Sequence, residues 1–150
     1  MAAATEHIMT ALLEAQKNIG AATKDSINPF FKSNYADLGS VMSVVKGPLN
    51  NAGLAIPQEL EVHTTTPTTD GVSPHSYNVL NTTLWHTASK ETLTSQVVIP
   101  SNNDIQKWGA GLTYMKRYQL QSLLFVPTED NDGEDVVDRA KPKRRKAGTQ

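Results

Sequence analysis

The chain has 150 residues, no cysteine and a formal net charge of -1. That length suits one domain with a real hydrophobic core, and the absence of thiols excludes a disulfide framework and a thiolate metal site. The near-neutral average argues weakly against a nucleic-acid partner, because a basic groove depends on where charges sit and not on their sum.

The start, MAAATEHIMTALLEAQK, lacks the basic opening and continuous apolar stretch of a signal peptide. No apolar run anywhere approaches the ~18 residues of a membrane span, so the reading is a cytosolic protein. Thr5 is placed to cap a first helix, in which Ile8, Leu12, Ala15 and Ile19 recur on one face and Gly20 is the stop. Asn28-Pro29 favours a turn or extended chain. A second helix is expected from about Asn34, with Asn34 and Asp37 as a capping box and Leu38, Val41, Met42, Val45 and Leu49 as its apolar stripe. Pro48 predicts a kink or a fresh turn.

Strands follow. In LAIPQELEV, Leu54, Ile56, Leu60 and Val62 alternate with polar residues, and Pro57 marks an edge or irregular start. A polar loop, HTTTPTTDGVSPHS, leads into a hairpin of Tyr77–His86 and Thr92–Ile99 turning near TASKE, rich in β-branched and aromatic residues. Asn103 or Asp104 caps a third helix. The order helix, helix, three strands, helix predicts an α+β fold: a three-stranded antiparallel meander packed on helices.

The third helix runs through GAGLTYMKRYQLQSLLFV, Gly109 to Val126. On a helical wheel Ile105, Trp108, Leu112 and Met115 form the expected buried face, with Lys107, Ala110, Tyr114 and Arg117 roughly opposite. Gly111 and Tyr118 fall at one margin and Lys116 at the other. Glycine in a helix costs about 1 kcal/mol against alanine. Gly109 and Gly111 therefore suggest that another backbone comes close: the protein's own sheet, a neighbouring subunit or a sugar-phosphate strand. Tyr114, Lys116, Arg117 and Tyr118 place cations and aromatic faces within about one turn, the two features that hold single-stranded nucleic acid. The plainer alternative makes the tyrosines rim residues and the charges solvated.

The tail, residues 128–150, is a charge dipole. Residues 1–127 carry 8 Lys and Arg against 9 Asp and Glu, residues 128–138 carry 6 acids and no base, and residues 139–150 carry 6 bases and no acid. EDNDGED does not fit an EF-hand loop: with Gly133 at the invariant glycine, the first and last ligand positions fall on Thr128 and Arg139. The segment reads as an acidic turn followed by a flexible basic arm, distinct from a core domain over residues 1–127.

Together these stretches resemble the phage essential recombination function (Erf) family of single-strand annealing proteins. The resemblance rests on GAGLTYMKRYQLQSLLFV with EDNDGED after it, and on AQKNI, Lys24 and NPFFKSNYADLGSVMSVVKGPLNNAGLAI before it, over roughly residues 8 to 135. The loop at 64–76 and the basic tail lie outside it. It implies binding of single-stranded DNA and pairing of complementary strands, without a nucleotide cofactor or any other, by a homo-oligomeric ring or filament in the host cytoplasm. The implied core is a sheet rich in β-hairpins on a long helix, like that of strand-annealing ring proteins. By that analogy the DNA-binding residues are Lys116 and Arg117 first, then Lys24, Lys32, Lys107, Tyr35 and Tyr114. Phe30, Phe31, Gly109 and Gly111 are the expected oligomer contacts. Capping and rim packing are the alternatives for Lys32 and Tyr35.

Two other functions compete. A metal-dependent nuclease would use the acids at 129–135, the only carboxylate cluster. His7, His63, His75 and His86 show no ligand spacing, and no Ser-His-Asp signature, phosphate loop or dinucleotide fingerprint is present. No catalytic residue and no metal site is therefore assigned. A sequence-specific duplex binder would need a helix-turn-helix pattern, which is not evident.

Overall fold

The computed structural model describes residues 7–24, 26–27 and 34–128, with the backbone alone at 26, 34 and 35. The fold is α+β. Its elements in order are α1 (Ile8–Asn18), β1 (Ser26–Ile27), β2 (Asn34–Tyr35), α2 (Leu38–Asn51), β3 (Leu54–Ala55), β4 (Gln58–Thr64), β5 (Ser76–His86), β6 (Thr92–Ile99) and α3 (Ile105–Leu124).

β5 is the spine of a four-stranded antiparallel sheet. β4 runs along one edge, from Gln58 opposite Thr82 to Thr64 opposite Ser76, and β3 continues that edge with Leu54 opposite His86. β6 takes the other edge, from Asn78 opposite Ile99 to Trp85 opposite Thr92. The expected first strand is thus split in two at Ile56-Pro57. Proline has no N–H for the ladder, but its carbonyl still accepts from the Thr83 N–H at 3.1 Å. A short hairpin pairing Ser26 with Tyr35 and Ile27 with Asn34 adds two strands that the sequence pattern did not reveal.

Strand alternation puts Leu80, Thr82, Leu84 and His86 on one face of β5, and the three helices cover that face. α1 contributes Ile8, Ala11, Leu12 and Ala15; α2 contributes Val41, Val45 and Leu49; α3 contributes Leu120 and Leu124. Leu49, Leu84 and Leu124 meet there fully buried, each worth about 1.5–3 kcal/mol against exposure.

Helix boundaries differ from expectation at two N-termini. Asn34 and Tyr35 pair as β2, and Asp37 itself is the cap of α2, its Oδ1 accepting from the Ser40 N–H at 2.8 Å. The helix runs on through Pro48 to Asn51. Thr5 lies outside the described residues. The N-cap of α1 is His7, whose side chain makes no capping bond. Glu91, from the far end of the β5–β6 turn, caps the helix instead: its Oε2 accepts from the Ile8 N–H at 2.7 Å and from the Ser89 hydroxyl at 2.8 Å. α3 starts as expected on Asp104, whose Oδ1 accepts from the N–H groups of Gln106 and Lys107 at 2.9 and 3.3 Å. It ends on Phe125 in the left-handed region at φ 55° and ψ 52°, where glycine is the usual residue.

The Ile8 N–H, the Ser89 hydroxyl and then His7 hold the Glu91 carboxyl below its ordinary pKa of 4.5. A carboxylate with a depressed folded-state pKa contributes stability above the unfolded value, and that contribution is lost as pH falls through the folded value. α1 should therefore loosen as pH falls below about 4.5, ahead of the rest of the core. Glu91→Gln should show α1 amide exchange already faster at pH 7 and changing less between neutral and acid pH than in the wild type. Hydrogen exchange of the residue 8–15 amides across that range measures it.

Candidate nucleic-acid interface

α3 carries Lys107, Lys116 and Arg117 and no acid. Its solvent side presents Lys107, Gly111, Tyr114 and Tyr118, spaced four, three and four. This spacing stacks them along one ridge rising about 17 Å at 1.5 Å per residue. Tyr114 and Tyr118 are 52% and 57% exposed. Their rings lie nearly parallel, 13° apart with centroids 6.3 Å apart. The Arg117 Cζ sits 4.9 Å from the Tyr114 ring centroid, and its Nη1 donates to the Ala36 carbonyl at 3.0 Å. The guanidinium thus ties the ridge to the segment entering α2 and also lies over an aromatic face, a placement worth about 0.5–1 kcal/mol at an exposed site.

The opposite side of α3 is fixed by a buried polar cluster. Thr82 Oγ1 donates to Gln119 Oε1. The Gln119 amide reaches the Leu80 carbonyl and Ser95 Oγ at 3.5 and 3.4 Å. Gln58 Nε2 donates to Thr82 Oγ1 and to the Lys116 carbonyl, both at 3.0 Å. These bonds set the rotation of α3 on the sheet, and with it which residues form the ridge. The alternation of β5 gives a signal for this cluster, since Thr82 lies inward between Leu80 and Leu84.

The other face of the sheet carries no helix among the described residues. Glu59 and Glu61 lie exposed on it. His63 first, then Asn81, holds the Glu61 carboxyl below its ordinary value.

Residues 8–150 match the family model described as the ERF superfamily. The chain belongs to this family. No curated protein and no solved structure matches it. The match includes the loop at 64–76 and continues through the basic tail, beyond the limits read from motifs. At the family level, membership carries a role of the recombination and strand-annealing type.

In this ERF-superfamily chain the expected residues separate. Lys107, Tyr114 and Arg117 gather on or beside the ridge, and Tyr118 joins them. Lys116 points the other way: it is half-buried, nine residues from Lys107 and so half a revolution round the helix. Lys24 is half-buried and already engaged, two residues after Ala22, whose N–H donates to the Pro127 carbonyl beyond the C-terminus of α3. The backbone of Tyr35 lies one residue from the Arg117 contact at Ala36. Lys32, Phe30, Phe31 and the acids at 129–135 lie outside the described residues. The expected buried face is corrected toward the C-terminus: Ile105 is 75% exposed, Trp108, Leu112 and Met115 are half-buried, and full burial begins at Gln119 and Leu120. Ile105 lies at the first turn, where α3 has not yet crossed onto the sheet.

A Cβ built on Gly109 or Gly111 meets nothing within 4 Å, so neither glycine serves packing on the protein's own sheet. Gly109→Ala and Gly111→Ala should each stabilise the protein by about 0.8–1 kcal/mol through helix propensity. Thermal melts measure the gain. A parallel loss of DNA binding or assembly would locate the close approach.

Proposed function

We propose that the protein binds single-stranded DNA without reading its sequence and promotes annealing of complementary strands, as a homo-oligomer and without a nucleotide. The observation that carries this reading is the α3 ridge: two parallel exposed tyrosines flanked by Lys107 and Arg117, on a helix with no acid. Bases stack on the rings, which tolerate any base, and the cations take the phosphates. Gly111, one turn from Tyr114, lets the sugar-phosphate chain lie against the helix backbone. Lys24, Lys32 and Tyr35 are further contacts, carried over from the family resemblance. Lys116, half a revolution from the ridge, contributes through its charge at longer range.

Annealing itself breaks no bond. A strand held by its phosphates loses its mutual repulsion with a second strand, and correct register then adds stacking of about 1.4 kcal/mol per step. Each protomer supplies few cations, since residues 1–127 hold only 8 Lys and Arg. Several copies on one strand convert weak contacts into tight binding through effective concentration. Among the described residues no group of three or more His, Asp or Glu could hold a metal ion, and no helix is long and apolar enough to cross a membrane.

The test mixes complementary oligonucleotides with the protein in EDTA and without nucleotide, and follows duplex formation by fluorescence. Acceleration over the protein-free rate, with intact strands afterwards, supports the reading. Strand cleavage on adding Mg²⁺ or Mn²⁺ would favour the nuclease alternative, and preference for one duplex sequence would favour a specific duplex binder.

A further inference from the structure

We propose that copies of this chain associate head to tail, Phe125 of one copy entering the groove between α2 and the β3–β4 edge of the next. The inference rests on the multimeric reading above and supplies its contact.

Phe125 is the least expected residue of the fold. It is a bulky side chain held in the left-handed region, at the helix end where glycine is usual, and it is 82% exposed. None of the described residues covers it, and an apolar group kept in a strained and solvated position points to a surface that receives it. Its neighbours Leu124 and Val126 are both buried, so the backbone on either side is fixed and the ring is presented outward on a rigid mount.

A receiving site is present elsewhere on the molecule. Met42 and Leu49 of α2, Leu54, Ile56 and Leu120 line a half-open apolar groove of about 210 Å³, with Lys46 at its rim. An apolar cavity of about 150 Å³ accommodates benzene, so this volume holds a benzyl group. Phe125 is not among the residues lining its own groove. Next along β4, Leu60 and Val62 are also exposed, which extends the apolar strip beyond one side chain toward the area a stable contact needs.

Charge supports a second copy as the occupant. Four residues after Phe125 the chain enters EDNDGED, five acids in seven residues. The groove carries a cation, Lys46, opposite in sign to that run. Knob and groove are different surfaces, so the contact is heterologous. Repeated, it gives a closed ring or an open helical filament according to the rotation between copies.

The test compares the full-length wild type with Phe125→Gly and Met42→Trp by sedimentation velocity. Glycine adopts the left-handed conformation freely, so Phe125→Gly should keep the wild-type melting temperature while its mass falls from the multimer to a single chain. Met42→Trp fills the groove and should also leave single chains. Mixed one to one, the two variants retain one intact groove and one intact knob, and should form heterodimers that grow no further. A multimeric wild type with an equally multimeric Phe125→Gly would overturn this contact and leave the multimeric reading standing. A wild type that is itself a single chain, with and without oligonucleotide, would overturn that reading too.

Discussion

Replacing Tyr114 and Tyr118 together by alanine should weaken binding of single-stranded DNA by about 30-fold to 10⁴-fold, from about 1–3 kcal/mol of stacking per aromatic. The fold should tolerate the change. Both rings are more than half exposed, and surface substitutions of this kind cost within about 0.5 kcal/mol. The loss should show two further marks. Binding should fall for every oligonucleotide sequence alike, because each base offers a π-face. The dependence on salt should stay as steep as in the wild type, because no cation has been removed. Fluorescence anisotropy with homopolymer and mixed-sequence oligonucleotides measures both. If affinity is unchanged, the tyrosines are rim residues and the ridge is not the track.

Gln119→Ala should be the most destabilising change near the site, at about 2–4 kcal/mol, because it leaves buried polar partners unsatisfied and opens a cavity. Gln119 is buried beneath α3, and Thr82 Oγ1, the Leu80 carbonyl and Ser95 Oγ all face its amide. Thr82 would still accept from Gln58 but would lose the oxygen to which its own hydroxyl donates. At roughly 2–4 °C per kcal/mol for a chain of this size, the melting temperature should drop by about 5–15 °C. Calorimetry measures it. A shift within 2 °C or so would mean that α3 is set on the sheet by apolar contacts alone. DNA binding of the folded variant should weaken as well, since the cluster fixes the rotation that presents the ridge.

The strands and the caps with simple chemistry were legible in the sequence. Thr92–Ile99 alternates cleanly, and Asp104 is followed by an uninterrupted helical pattern. What escaped were features made by partners distant along the chain. Glu91 caps α1 from 83 residues away, and no local pattern announces a cap of that kind. Asn34 carries a capping residue's identity, yet its backbone is taken by pairing with Ile27, and Asp37 caps three residues later.

The site shows the same division. A wheel gives relative angles but not which arc meets the sheet. Counting from Ile105 placed the buried face on apolar residues of the first turns, whereas the helix descends onto the sheet only toward Gln119 and Leu120. The wheel sets Arg117 opposite the expected buried face, and its bond to the Ala36 carbonyl shows that it is also a tether. Tyr118, set at a margin of the wheel, is stacked with Tyr114 on the exposed ridge.

The central claim is that cations beside this ridge neutralise the phosphates of an unpaired strand. The most direct measurement is the affinity for oligothymidine as a function of NaCl concentration, for the wild type and for Lys107→Ala. Removing one phosphate contact should lower the affinity and make the log–log slope shallower by about 0.7 per bound protomer. An unchanged affinity with an unchanged slope would place the strand elsewhere on the molecule and contradict the account.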